Sequence, residues 1–336
     1  MEEGRRRAVE VRLLSAYDPR FMAAALALAA RSRGRTAPNP NVGCVIVHDG
    51  RVVGRGWTQP GGRPHAEAMA LAEAGAAARG ATVYVTLEPC AHASPRGAAC
   101  SDLLVAAGPK RVVAALTDPD TRTAGEGFAR LRKAGIDVTE GVCTIEAQRS
   151  MAGFLTRQAL GRPHVTLKLA LSLDGMIARA DGESQWITGA AARAHVHLER
   201  SRHEAILVGR GTWEADQPRL DVRLAGLEDR SPHRVLLSSH GAEAREAIVI
   251  AAPREIGALA GVDHLFVEGG AQTASAFLAE GLVDRILLYR APILIGAGKP
   301  ALGEIGLGSL ADAHGRWNLV DSRMLGIDRL EVYERG

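Results

Sequence analysis

Short apolar runs alternate with helix-prone stretches along nearly the whole chain, and this rhythm restricts the fold to an α/β layer architecture. In the first half, residues 42–47 read as a strand, and Asp49-Gly50 as a tight hairpin turn into a second strand, 51–57. Pro64 opens a helix over 65–75, Gly80 ends it, and strand 81–86 delivers Glu88-Pro89-Cys90 at its end. Helix 101–107, strand 111–115, helix 127–134 and strand 137–139 continue the series. A polar, helix-prone stretch at 144–161 is broken by Arg162-Pro163, after which strand 165–171 begins a second series with strands near 205–208, 234–237, 265–268 and 285–290. A chain of 336 residues has room for two cores, and no internal repeat relates the halves. The expected division is an extension at 1–16, a first domain at 17–144, a linker at 145–163 and a second domain at 164–336.

The first half carries a metal-binding pattern. His65 and Glu67 stand at a helix start, and Cys90 and Cys100 follow the next strand. One imidazole and two thiolates are three tetrahedral zinc ligands, which leaves the fourth position to water. Glu67, two residues after the histidine, is spaced to lie beside that water and carry its proton without binding the metal. An isolated H-x-E is usually structural; the order H-x-E, strand, P-C, C is the pattern of zinc nucleobase deaminases. Those enzymes commonly have P-C-x-x-C, whereas nine residues separate the two cysteines here, and Cys143 and Cys44 are the alternative third ligands.

The longer loop carries a family resemblance. Thr36-Ala-Pro-Asn-Pro-Asn-Val-Gly43, Pro64-His-Ala-Glu67 and Val85-Thr-Leu-Glu-Pro-Cys-Ala-His92 closely resemble the bifunctional riboflavin-biosynthesis deaminase/reductase family. In that family the loop ends Pro-Pro-Cys; here Ser94-Pro-Arg-Gly-Ala-Ala-Cys100 is one residue longer, with Ala98 and Ala99 in place of the prolines. The family's Asp-Pro-Asn-Pro is Asp118-Pro-Asp-Thr121 in this chain, and Asp120 and Thr121 receive no role. The resemblance implies a cytidine-deaminase-like three-layer α/β/α domain in which Asn39 and His92 contact a pyrimidine and Arg96 faces the substrate phosphate.

In the second half the residues alone say less. Gly209-Arg-Gly211 and Glu268-Gly-Gly270 follow strands and are placed for backbone approach to a phosphate, but neither is a G-x-G-x-x-G. Lys168 sits inside an apolar strand, where an unpaired ammonium is costly, so it is expected to face a site. Val165-Thr-Leu-Lys168, Ser172-Leu-Asp-Gly175, Gly182-Glu-Ser-Gln-Trp-Ile-Thr188, Ala205-Ile-Leu-Val-Gly209 and Ala215-Asp-Gln-Pro-Arg-Leu-Asp-Val-Arg223 resemble the family's reductase domain, so the similarity spans about residues 18–335. That domain is dihydrofolate-reductase-like α/β. By the resemblance, Ala170, Trp186, Thr212, Asp216, Gly270, Ala271, Gln272, Thr273, Ala274, Ser275 and Ala276 hold NADPH. Ser184, Arg200, Leu220, Arg223 and Glu268 hold the phosphorylated sugar, for which paired guanidinium groups are suited. Trp186 is equally readable as core, and His195 and His197 as solvated surface residues. The segment 239–262 is short for the family.

The resemblance therefore implies two reactions. Zn2+ and Glu67 would serve hydrolytic deamination of 2,5-diamino-6-(5-phosphoribosylamino)pyrimidin-4-one; NADPH and Lys168 would serve reduction of the ribosyl group of the product to ribityl. The preference for NADPH over NADH comes from the family alone. A competing reading is a nucleic-acid-editing deaminase with a non-catalytic C-terminal binding or oligomerisation domain. Only 4% aromatic residues and a net charge of +3, from 41 basic and 38 acidic residues, oppose it. Four cysteines are too few for a disulfide framework and suit a reducing, cytoplasmic setting. The longest apolar run, 21–30, is too short to span a bilayer, and 1–16 reads as a solvated extension, neither signal nor transit peptide. The expected partners are a small phosphorylated pyrimidine and a second copy of the chain, with neither nucleic acid nor membrane.

Overall fold

The computed structural model describes residues 15, 17–92, 95–121, 123–239 and 246–336. Apart from Ser15, the extension 1–16 lies outside the described residues. By contacts the chain divides into two units: the described residues up to Ser32 with Pro40–Met151, and Arg33–Asn39 with Ala152–Gly336.

The first unit runs α1 (Asp18–Ala29), β1 (Gly43–His48), β2 (Arg51–Trp57), α2 (Ala66–Ala74), β3 (Thr82–Val85), α3 (Cys100–Ala107), β4 (Arg111–Ala114), α4 (Glu126–Lys133), β5 (Asp137–Thr139) and α5 (Thr144–Ser150). Its sheet has the order β2-β1-β3-β4-β5, antiparallel across β1 and parallel from β3 to β5. Two glycines in β2 explain how close α2 lies. A Cβ on Gly54 would stand 2.2 Å from the Ala70 carbonyl oxygen, and one on Gly56 would stand 2.0 Å from that of Ala66. The alanine face of α2 therefore packs directly on strand backbone, which fixes the helix start where His65 and Glu67 sit.

The second unit contains α6 (Ala152–Leu160), β6 (His164–Leu171), β7 (Met176–Arg179), α7 (Ala190–Arg200), β8 (Ala205–Gly209), α8 (Arg210–Asp216), β9 (His233–Leu237), β10 (Ile248–Ile250), β11 (His264–Val267), α9 (Ala271–Ala279), β12 (Arg285–Arg290), β13 (Gly298–Pro300), β14 (Trp317–Leu325) and β15 (Asp328–Arg335). Eight strands form one sheet, β10-β9-β8-β11-β6-β12-β15-β14, parallel from β10 to β12 and closed by the antiparallel β15 and β14. β6 is central and buried on both faces, which is why 165–171 reads as a nearly continuous apolar run. One buried cluster gathers Val165, Leu167, Leu207, Leu265 and Phe277, and another gathers Ile206, Phe266, Leu287, Tyr289 and Leu330.

Three histidines are buried in this unit: His164, His203 and His264, with ring centroids 6.0 Å apart for the second pair and 6.4 Å for His164 and His264. Burial holds all three well below the ordinary imidazole range, among Arg33, Arg202, Arg285, Glu199 and Asp284. Burial also lifts Glu204 to about 7 and Asp263 to about 6. Below about pH 6.5 the unfolded histidines take up protons that the folded ones refuse, whereas the two acids take up protons first in the folded state. Three sites against two leave a net uptake of about one proton on unfolding. Stability of this sheet should therefore fall by about 1 kcal/mol per pH unit between about pH 6.5 and 5. Hydrogen exchange in β6, β8 and β11 at the two ends of that window measures it; equal opening free energies would contradict the account.

Candidate functional site

In the first unit, His65 is the N-cap of α2 with extended backbone, and Cys100 is the first residue of α3. The Cys90 carbonyl accepts from the Ser101 N–H at 3.1 Å and its hydroxyl at 3.0 Å, and the Cys100 N–H donates to the Cys90 sulfur at 3.3 Å. The lengthened loop thus returns its cysteine to the first. Ala99 has φ −66° and ψ 139°, a conformation that proline also adopts.

His65 Nδ1 lies 3.3 Å from the Cys100 sulfur and 3.6 Å from that of Cys90, and all three donor atoms fall within 4.8 Å of one another. Zinc–nitrogen and zinc–sulfur bonds at a tetrahedral angle separate N from S by about 3.6 Å, so this donor set fits zinc. Among the described residues it is the group of His, Cys, Asp or Glu side chains able to hold a metal. Cys44 is buried in β1, and the Cys143 sulfur faces the Pro19 carbonyl, so neither alternative ligand joins it. Glu67 is 3% exposed, and burial pushes its carboxyl up to about 7 against the opposing pull of His65. The Cys100 thiol, donating a hydrogen bond, draws the Cys90 thiol down to about 4 against its burial. Cys100→Ser should lose most of the zinc that elemental analysis finds in the native chain; unchanged content would place the third ligand elsewhere.

His92 is held by the Thr123 hydroxyl, 3.2 Å from its Nδ1. Arg96 donates to the Gly61 carbonyl at 3.2 Å. Asn39 belongs to the 33–39 segment that packs with the second unit, where its N–H donates to the Thr36 carbonyl at 2.9 Å. Glu88, quoted above only as part of a motif, turns out to be buried and to accept four backbone N–H groups. Its donors come from a segment thirty to forty residues away, so only the glycines at 125 and 127 hinted at it in sequence.

In the second unit, Glu268 is the hub. It accepts from Arg200 Nε at 2.6 Å and Nη2 at 3.1 Å, and Lys168 Nζ stands 3.6 Å away. These cations hold its carboxyl below the usual range despite its burial. Arg200 Nη1 also donates to the Asp221 carbonyl at 2.9 Å, and the Asp221 carboxylate pairs with Arg223 at 2.9 Å and Arg219 at 2.8 Å. Leu220, buried with φ +55°, makes the turn that presents Asp221, an uncommon conformation for a leucine. Lys168, Arg200, Leu220, Arg223 and Glu268 are thus brought into one cluster.

Beside it, Gly209 caps α8 and Gly270 caps α9 at the C-terminal ends of the adjacent parallel strands β8 and β11. A Cβ on Gly209 would lie 2.2 Å from Thr273 Oγ1 and one on Gly269 2.4 Å from Thr273 Cβ, so both glycines admit Thr273 and bring the helix starts together. Two convergent N-termini fit a cofactor diphosphate. Thr273, Ala274 and Ser275 are buried, and Ser275 Oγ accepts from the Gly303 N–H at 2.8 Å, whereas Gly270, Ala271, Gln272 and Ala276 remain partly or fully accessible. Thr212 Oγ1 is 3.6 Å from a Cβ built on Gly270; Asp216 and Ser184 are exposed, and Ala170 is half-buried on β6.

One alternative reading and one expectation fail. Trp186 is 66% exposed and lies under the Arg193 guanidinium at 4.8 Å, so it is not core. His195 and His197 are not solvated surface residues: His195 Nδ1 meets the buried Tyr289 hydroxyl at 2.8 Å, and His197 Nδ1 meets the Asp221 carbonyl at 3.1 Å and the Arg223 N–H at 3.2 Å. Their helix looks polar because its polar side chains cover other polar groups.

Residues 15–116 match the cytidine and deoxycytidylate deaminase zinc-binding region, and residues 163–328 match the RibD C-terminal domain. Riboflavin biosynthesis protein RibD of Escherichia coli is 41% identical over 88% of this chain and 94% of its own length; that of Mycobacterium tuberculosis H37Rv is 41% identical over 89% and 91%. Among solved structures, RibD of Acinetobacter baumannii is 36% identical with a TM-score of 0.84, covering 95% of this chain and 99% of its own. The diaminohydroxyphosphoribosylaminopyrimidine deaminase/5-amino-6-(5-phosphoribosylamino)uracil reductase of Thermotoga maritima is 32% identical with the same score and the same coverage. With both its deaminase and its reductase parts matched in one chain, this protein belongs to the RibD family of riboflavin biosynthesis proteins.

Proposed function

We infer that the chain carries out two consecutive steps of riboflavin biosynthesis: hydrolytic deamination of 2,5-diamino-6-(5-phosphoribosylamino)pyrimidin-4-one, then reduction of the ribosyl group to ribityl. The His65, Cys90 and Cys100 donor set with Glu67 beside it carries the reading. Residues 17–144 are assigned to the first reaction and 164–336 to the second, joined through 145–163.

In the first step, His65, Cys90 and Cys100 would hold zinc, which would supply the Lewis acidity that makes water a nucleophile near neutral pH. Glu67 takes the proton of the attacking water and returns it to nitrogen, so that ammonia leaves and a carbonyl oxygen remains. His92, fixed through Nδ1 by Thr123, orients the pyrimidine, and Arg96 faces the phosphate. In the second step, NADPH supplies the hydride. Gly270, Ala271, Gln272 and Thr212 bind the cofactor at the paired helix starts, with Ala170, Trp186, Asp216 and the 273–276 turn completing its walls. Arg200, Arg223, Ser184 and Leu220 hold the phosphorylated sugar. Lys168 Nζ, 3.6 Å from Glu268, holds the proton that accompanies the hydride.

No helix among the described residues is long and apolar enough to cross a membrane. The four free thiols suit a cytoplasmic enzyme. Leu319 and Met324 on the edge strand β14 and Ile327 in its turn are more than half exposed, which supports self-association through that face. Sedimentation of the native chain tests this.

Mass spectrometry of the diaminopyrimidine incubated with zinc-loaded protein tests both reactions. Without NADPH only exchange of the amine for oxygen should appear; with NADPH the product should gain a further pair of hydrogens. An unchanged substrate in both would refute the assignment, and replacement of NADPH by NADH at equal low concentration tests the cofactor preference.

A further inference from the structure

We propose that Glu88 is a positioning residue of the deaminase centre, which locks the 118–128 segment onto the strand end that presents Cys90. The inference rests on the zinc-deaminase reading. Glu88 is 3% exposed and touches neither metal ligand side chain in the hydrogen-bond pattern; its partners are all main chain. Oε2 accepts from the N–H of Asp118 at 3.2 Å and of Gly125 at 2.9 Å. Oε1 accepts from Gly127 at 2.9 Å and Phe128 at 3.2 Å. A carboxylate tolerates such burial because charge-assisted bonds replace its water, and here two of them come from the first turn of α4, where the helix dipole adds to the attraction.

The lock has two outputs. A Cβ on Gly127 would lie 2.0 Å from the Pro89 carbonyl oxygen, so the clamped segment presses against the peptide immediately before Cys90. The same segment carries Thr123, fully buried, whose hydroxyl fixes His92. One carboxylate therefore sets both a zinc thiolate and the side chain assigned to the pyrimidine.

The test uses the full zinc-loaded chain carrying Glu88→Gln. The amide keeps one accepting oxygen but turns an NH2 toward the other pair of N–H groups, which frees half of the clamp. Zinc transfer to a chromogenic chelator, well below the unfolding temperature, should accelerate about tenfold or more, as when other groups that orient metal ligands are lost. KM for the diaminopyrimidine should rise, and NADPH oxidation on the deaminated substrate should stay at the native rate. Glu88→Asp keeps the charge one methylene short and should fall between the two. If the native chain binds no zinc, the deaminase reading itself is wrong. If the native chain binds zinc but both variants release it and bind substrate as the native chain does, the proposal is overturned. It is equally overturned if the Gln variant fails to fold while the Asp variant matches the native chain in release rate and KM.

Discussion

Glu67→Gln should abolish deamination while leaving zinc in place and the reductase running. Glutamine preserves the volume of the buried side chain at the first turn of α2, and none of the three metal donors is altered. What disappears is the carboxylate proposed to take a proton from water and pass it to nitrogen. Loss of a general acid/base typically costs on the order of 10²–10⁴-fold in rate. Ammonia release from the diaminopyrimidine and NADPH oxidation on the deaminated substrate should be followed separately, with metal content measured on the same preparation. A folded, zinc-loaded variant that also lost NADPH oxidation would contradict two independent centres. One that still deaminated at the native rate would remove Glu67 from the mechanism.

The deaminase centre was legible because its chemistry is local: His65 and Glu67 lie within one helix start, and Cys90 lies five residues past the end of β3. The altered loop to Cys100 obscured it only slightly, since it still brings the Cys100 N–H to the Cys90 sulfur. The clamp at Glu88 was not legible, because a carboxylate bonded to distant backbone leaves little pattern at the donor end beyond the glycines at 125 and 127. In the second unit, the sequence led only to the expectation that Lys168 faces a site; Glu268, whose carboxylate stands 3.6 Å from its Nζ, lies a hundred residues away just after β11, and only the fold joins them. The hairpin of β14 and β15 escaped detection because most of β14 is exposed on both faces, so its sequence lacks the alternation that marks a half-buried strand. His195 and His197 misled for the opposite reason. A polar helix face implies water unless the neighbouring polar groups, here Tyr289 and Asp221, are known.

Lys168→Met should cripple reduction without disturbing deamination. The reason lies in the division of labour around Glu268. Arg200 makes two hydrogen bonds to that carboxylate, at 2.6 Å and 3.1 Å, whereas Lys168 approaches it only to 3.6 Å. Removing the lysine therefore leaves the buried acid paired, and methionine fills most of the vacated volume in the central strand. The fold should survive. On the proposed assignment the sugar phosphate keeps Arg200 and Arg223, so KM for the deaminated substrate should change by less than about threefold, while kcat should fall on the order of 10²-fold or more if Nζ supplies the proton. Arg200→Met makes the contrast: it strips Glu268 of its bidentate partner and the substrate of a guanidinium, so KM should rise together with a loss of stability. If Lys168→Met instead raised KM and spared kcat, the ammonium would be a binding group, and the proton would have to come from elsewhere in the cluster.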